Sequence, residues 1–183
     1  MIKQKRHLIS ASVAAAALVA AMTPTATAMA PTTRVVNDAV NPNAAYDIVQ
    51  VVLRSAPEEG KRAVVVIKHG RNETVGDSID VWFNLDDDNL PDVHIVGDAG
   101  SEYRVFRTDS FTEDGKDISN KGCYAMSIRL DKTKVKFDPD CIGESEKYGV
   151  SVRSSRFDKP ESANDWVRAP RKFTKKVQST VAD

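Results

Sequence analysis

The stretch CYAMSIRLDKTKVKFDPDC, residues 123–141, decides how this chain is read. Tyr124, Met126, Ile128 and Leu130 alternate with Ala125, Ser127 and Arg129, and Val135 and Phe137 then alternate with Lys134, Lys136 and Asp138. A period of two is the mark of a strand with one face in a core and the other in water. Polar residues from Asp131 to Lys134 separate the two runs, so a tight turn is expected there, folding the second run back on the first. Cys123 and Cys141, the 2 cysteines of the sequence, then lie at the open ends of the hairpin, which predicts a disulfide between them. Strict pairing leaves them one residue out of step. Pro139 cannot donate to a ladder, so a bulge or break at that point would absorb the slip.

The chain around the hairpin reads as more strands of the same kind. Val49, Val51 and Leu53 alternate with Ile48, Gln50 and Val52, and Pro57 to Gly60 makes a turn. The run Arg62 to Lys68, with four consecutive apolar residues, suits a central strand buried on both faces. From Ser78 to Leu85, Ile79, Val81, Phe83 and Leu85 face one way and Asp80, Trp82 and Asn84 the other. Asp92 to Val96 follows, with Val93 and Ile95 expected opposite Leu85 and Phe83, and then Glu102 to Thr108. Asp109 to Lys121 is a long polar excursion. Tyr148 to Val152 is a further strand, and Asp165-Trp166 to Val177 is a last segment of no clear period.

Short strands at this spacing, with turn residues between them and no helical period, predict an all-β fold, an antiparallel β-sandwich of immunoglobulin-like or jelly-roll-like kind, with an open barrel as the alternative. The expected core is Val49, Val51, Val65, Ile67, Val81, Phe83, Ile95, Tyr103, Val105, Met126, Ile128, Val135, Phe137, Val150 and Val152.

The N-terminus has a different character. Lys3, Lys5 and Arg6 precede an Ala-rich apolar run from Leu8 to Met22, followed by Pro24 and Ala26-Thr27-Ala28. This is the order of a secretory signal peptide, with cleavage expected after Ala28, and the run is short for a membrane span. The chain thus divides into a signal peptide (1–28), a flexible lead-in (29–44) and a β-sandwich domain (45–181), with the product secreted to the extracellular space. Removing residues 1–28 takes three basic residues and no acidic one from 26 of each, leaving a net charge of −3. A chain so near neutrality lacks the basic footprint of a nucleic-acid binder, and once the signal is cut no membrane insertion is expected.

The order of features has a family likeness. Gly76-Asp77 opens an alternating strand that ends in a carboxylate-rich turn and Pro91-Asp92. A cysteine, a hairpin and a second cysteine in Cys141-Ile142-Gly143 follow, and then a Val-Ser-Val strand. Over roughly Asp47 to Ser154 this resembles the small secreted β-sandwich proteins of actinobacteria, similar in outline to family 9 carbohydrate-binding modules and DOMON-type domains. Relatives often carry Pro-Arg before the second cysteine where this chain has Pro139-Asp140. The resemblance implies a scaffold and carries no ligand site, since one fold hosts many functions.

Three sets of residues carry candidate chemistry. Asp86, Asp88 and Asp92, with Asp87 and Asn89, pack carboxylates into one turn, the donor type that calcium takes. They do not make an EF-hand loop, because Leu90, Pro91 and Gly97 occupy positions where that loop needs a ligand, a glycine and a closing glutamate. A solvated turn whose Asp side chains cap their own backbone is the plainer reading. Second, the expected pairing places Asp80, Trp82, Asn84 and His94 on one outward face. An aromatic plate flanked by hydrogen-bonding groups can stack on the apolar face of a sugar ring, although a strand aromatic more often packs under a loop or a tail. Trp166 is expected to anchor the tail. Third, Arg168, Arg171, Lys172, Lys175 and Lys176 form a basic tail that suits a solvated end or a polyanion.

His69 and His94 lie far apart with no zinc-ligand spacing around them, and no strand-turn-helix elbow surrounds a serine. These features predict a secreted, non-catalytic binding domain for an extracellular polysaccharide or cell-surface polymer. A secreted protein-binding or inhibitor module acting through Asp109 to Lys121 is the alternative. A hydrolytic enzyme using His94 or Asp88 comes third.

Overall fold

The computed structural model describes residues 32–142 and 145–181. The expected signal peptide at 1–28 lies outside the described residues. The described residues form two antiparallel sheets packed face to face. The first contains β1 (Thr33–Asn37), β2 (Ile48–Arg54), β3 (Ala63–His69), β8 (Tyr124–Arg129) and β9 (Lys132–Phe137), in the order β1-β2-β3-β9-β8. The second contains β4 (Asp77–Asn84), β5 (Val93–Asp98), β6 (Tyr103–Arg107), β7 (Lys116–Asp117), β10 (Lys147–Arg156) and β11 (Asp165–Trp166), in the order β11-β10-β4-β5-β6-β7. A short β12 (Val177–Gln178) also pairs with β10. This is the antiparallel sandwich that the alternation predicts.

The alternating apolar residues meet between the sheets. Val51, Leu53, Val65, Ile67, Val135 and Phe137 of the first pack against Ile79, Val81, Phe83, Ile95, Val150 and Val152 of the second. Aromatic rings span the gap edge to face: Phe137 lies 4.9 Å from Phe83 and 4.8 Å from Tyr148. The Tyr148 hydroxyl donates to the Arg54 carbonyl at 2.9 Å, so a phenol from one sheet also satisfies a backbone acceptor of the other.

Several expectations are corrected. Val49 is not in the core. The β2–β3 register shifts between Ile48 and Gln50, so Ile48 turns inward in its place. One extra residue in a ladder reverses the side of every residue beyond it. β3 is central, but Val64 and Val66 on its outer face are only half-buried. The lead-in 29–44 contains a strand, β1, laddered to β2 from Thr33↔Arg54 to Asn37↔Gln50. Its Thr-Arg-Val-Val-Asn sequence is too short to show a period but suits an edge strand with a single partner. Val93 and Ile95 sit opposite Phe83 and Val81, two residues from the expected register, because Leu85 to Asp92 forms a wider connection than a tight turn.

The hairpin is also displaced. Its turn is Leu130-Asp131, with Leu130 at φ 48°, and Lys132 to Lys134 belong to β9. The end of β3 holds this turn: the His69 amide donates to the Asp131 carbonyl at 2.8 Å, and Glu73 to Leu130 at 2.7 Å. At the open end the ladder continues through Asp138 N–H to the Cys123 carbonyl at 2.9 Å. The chain then curls into a single helical turn, α1 (Pro139–Ile142), which brings Cys141 back to form the disulfide with Cys123 at a Cα separation of 5.6 Å. The break at Pro139 is therefore a helical turn and not a bulge.

Candidate functional site

Alternation along β4 sends Ile79, Val81 and Phe83 into the core and leaves Asp80 and Trp82 on the far side of the second sheet. The register then assembles their neighbours. Trp82 lies opposite His94 on β5 and Ser151 on β10, Asp80 lies opposite Arg153, and Arg153 lies opposite Trp166 on β11.

Two segments cover part of this face. The connection from β6 to β7 folds on itself, with the Thr108 hydroxyl donating to the Glu113 carbonyl at 2.9 Å, and lays Phe111 on Trp82 at 5.4 Å. The segment after β11 returns along β10, where the Thr174 amide donates to the Val150 carbonyl at 2.8 Å. A side chain at Gly149 would come within 2.8 Å of the Thr174 carbonyl oxygen, so this close approach needs glycine. Phe173 from this segment meets Phe111 at 5.3 Å. Between the two covers remains a cleft of about 710 Å³, with Asp80, Trp82, His94, Phe111, Arg153 and Trp166 in its walls.

These side chains hold one another in place. Trp82 stacks nearly parallel on His94 at 4.5 Å and on Trp166 at 5.3 Å, one on each strand flank. The Arg153 guanidinium lies 5.2 Å from the Trp82 ring centre and 5.5 Å from that of Trp166, a cation over two aromatic faces. Asp80 is the buried hub. Its Oδ2 accepts from Arg153 Nε at 3.0 Å and Nη2 at 2.9 Å, and its Oδ1 is 2.9 Å from His94 Nε2. The second ring nitrogen, Nδ1, is 3.2 Å from Asp114 Oδ1. The imidazole thus stands between two carboxylates, one on the sheet and one on the β6–β7 connection. The contact also pins the β6–β7 connection to the sheet, and it puts a carboxylate where an acid–imidazole–hydroxyl relay would need a nucleophile.

Asp80, Trp82 and His94 thus come together, and Asn84 does not. Its Nδ2 donates to the carbonyls of Asp88 at 2.8 Å and Leu90 at 2.9 Å and braces the carboxylate-rich turn. Trp82 is only 1 % exposed, covered on both faces, so it supports the cleft and is no open plate. Trp166 and Phe111 are partly exposed aromatics in the wall, and Trp166 also ties the tail to β10. Arg153 and Phe111 were not anticipated. Arg153 had a signal in the sequence, because it alternates with Val150 and Val152 in the Val-Ser-Val strand. Phe111 had none, being one apolar residue in a polar excursion.

In the carboxylate-rich turn each predicted oxygen ligand already accepts from the backbone. Asp86 takes the Asp88 amide at 2.9 Å, Asp88 the Leu90 amide at 2.7 Å, and Asp92 the Leu85 amide at 2.7 Å. Burial, and then the charges of Asp86 and Asp88, push the Asp92 carboxyl above the usual range despite its Leu85 hydrogen bond. Among the described residues no three His, Cys, Asp or Glu side chains are grouped to hold a metal ion. His69 lies away from the cleft, stacked on Tyr46 at 4.4 Å with Nε2 3.0 Å from the Thr133 hydroxyl. No family model matches the chain, and no curated protein does.

Proposed function

We propose that this chain is an exported, non-catalytic binding domain that holds part of an extracellular polysaccharide in the cleft on the outer face of its second sheet. The observation that carries the reading is the wall of that cleft. Trp166 is a partly exposed ring backed by a stacked column, and it stands beside Asn164, Glu161 and Arg171, whose side chains make no hydrogen bond or ion pair among the described residues. Polar groups left without partners around an aromatic face suit a ligand that is apolar on its ring face and hydroxylated at its rim. Preorganisation supports the same reading. The Asp80 hub fixes Arg153, and Arg153 and Trp82 in turn fix Trp166, so little side-chain freedom would be lost on binding. The signal-like N-terminus and the disulfide agree with an oxidising, extracellular setting. The outline resemblance to carbohydrate-binding sandwiches points the same way.

The test is retention of the wild-type domain on insoluble polysaccharides and on a glycan array, beside Trp166→Ala and Asn164→Ala. Wild-type retention that both substitutions weaken, in variants that still unfold cooperatively, supports the reading. Wild-type protein that passes every glycan unretained overturns it.

A further inference from the structure

The geometry points to a groove that takes a stretch of an uncharged linear polysaccharide, lying across two adjoining subsites, with Phe157 as the second stacking platform; this rests on the carbohydrate reading of the cleft. The first subsite is the cleft at Trp166. The second is a cavity of about 340 Å³ at the far end of β10, which adjoins the first, since Arg153, Glu161 and Asn164 wall both. Phe157 is in the wall of the second cavity and is 81 % exposed, the placement of a residue kept for a partner and not for the core.

Phe157 is nevertheless held. Its amide donates to the Gly76 carbonyl at 3.1 Å, and its ring lies where a side chain at residue 76 would sit, only 2.3 Å from that Cβ position. Gly76 has φ +94°, a conformation other residues avoid, and its missing side chain leaves room for an edge of the ring. Trp166 is registered beside Arg153, and Phe157 follows Arg153 by four residues. β10 carries the chain from Arg153 to Arg156 and Phe157 lies just past its end, so at strand rise the two platforms stand upwards of about 10 Å apart. That is the span of a short oligosaccharide, longer than any single sugar unit.

Charge decides between polymer classes. Among the described residues, the joined groove is lined by five carboxylates and five lysines or arginines. A balanced lining gives no net field to attract a polyanion or a polycation, and it offers hydrogen bonds of both kinds to a neutral chain.

The experiment is calorimetric titration of the full exported domain with β-1,4-linked glucose, xylose and N-acetylglucosamine oligomers of one to six units, for wild type, Phe157→Ala and Trp166→Ala, at low and high salt. The expected result is an affinity that rises about tenfold between the dimer and the longer oligomers, the worth of one added stacking platform. Phe157→Ala should abolish that rise and leave dimer binding unchanged, Trp166→Ala should weaken every length, and salt should have little effect. Equal affinity for dimer and hexamer, or a Phe157→Ala variant that still gains with length, overturns the extended groove and leaves the cleft reading intact. Binding that collapses at high salt overturns the neutral-chain assignment. No heat from any series with the wild type overturns the carbohydrate reading itself.

Discussion

Mild acid should weaken this fold through one residue, His69. Its ring is 5 % exposed, stacked on Tyr46, with Nε2 on the Thr133 hydroxyl and Nδ1 buried without a partner. Burial, outweighing the nearby charges of Asp77 and Asp131, lowers its pKa from 6.5 to about 4. Between those values the unfolded chain binds a proton that the folded chain refuses, so stability is fully present above pH 6.5 and falls as the pH falls toward 4. At pH 5 the unfolded imidazole is almost wholly charged and the folded one almost wholly neutral, a loss of about 2 kcal/mol relative to neutral pH. That is a visible part of the roughly 5–15 kcal/mol by which a domain is stable. The measurement is the urea midpoint near pH 7.5 and pH 5 for wild type and for His69→Gln, which keeps a hydrogen-bonding amide near Thr133 but cannot titrate. All other side chains are the same in both proteins, so the difference between them isolates residue 69. The wild type should lose about 2 kcal/mol more than the variant over that range. Equal losses, or an NMR titration placing His69 near the ordinary histidine value, would refute the reasoning.

Other consequences follow from single residues. Asp77 is fully buried, takes two 2.7 Å hydrogen bonds from Arg71 and is capped by Thr74; although burial acts to raise its pKa, these partners hold its carboxyl below the usual range. Asp77→Asn should cost about 2–3 kcal/mol in urea unfolding, below the full loss for a buried pair because Arg71 is partly exposed. The stabilisation by this carboxylate should survive mild acid and vanish only as the pH falls through its depressed pKa. Replacing Cys123 and Cys141 together by serine should lower stability by about 3 kcal/mol, since the bridge closes a loop of sequence separation 18, and reduction of the wild type should match it. Trp82→Ala should destabilise by about 3–5 kcal/mol, because it empties the centre of a stacked column, whereas Trp166→Ala should cost much less stability and far more retention on polysaccharide. Chelation should leave the melting temperature unchanged, because the oxygens of Asp86, Asp88 and Asp92 described above already serve backbone amides.

Local alternation was enough to establish the sandwich, most of its core and one face of its site. Period-two alternation is a local property, so Val81, Phe83, Ile95, Val135, Phe137, Val150 and Val152 could be assigned to the core, and Asp80, Trp82 and His94 to the opposite face, from the pattern alone. Only the tertiary structure decided what covers that face. Trp166 meets Trp82 because β11 pairs with β10, and Phe111 meets it because the β6–β7 connection folds back, and neither contact leaves a trace in local periodicity. The bulge at Val49 and the helical turn at Cys141 are likewise settled by what lies across the ladder, since a register is a relation between two strands and cannot be read from either one.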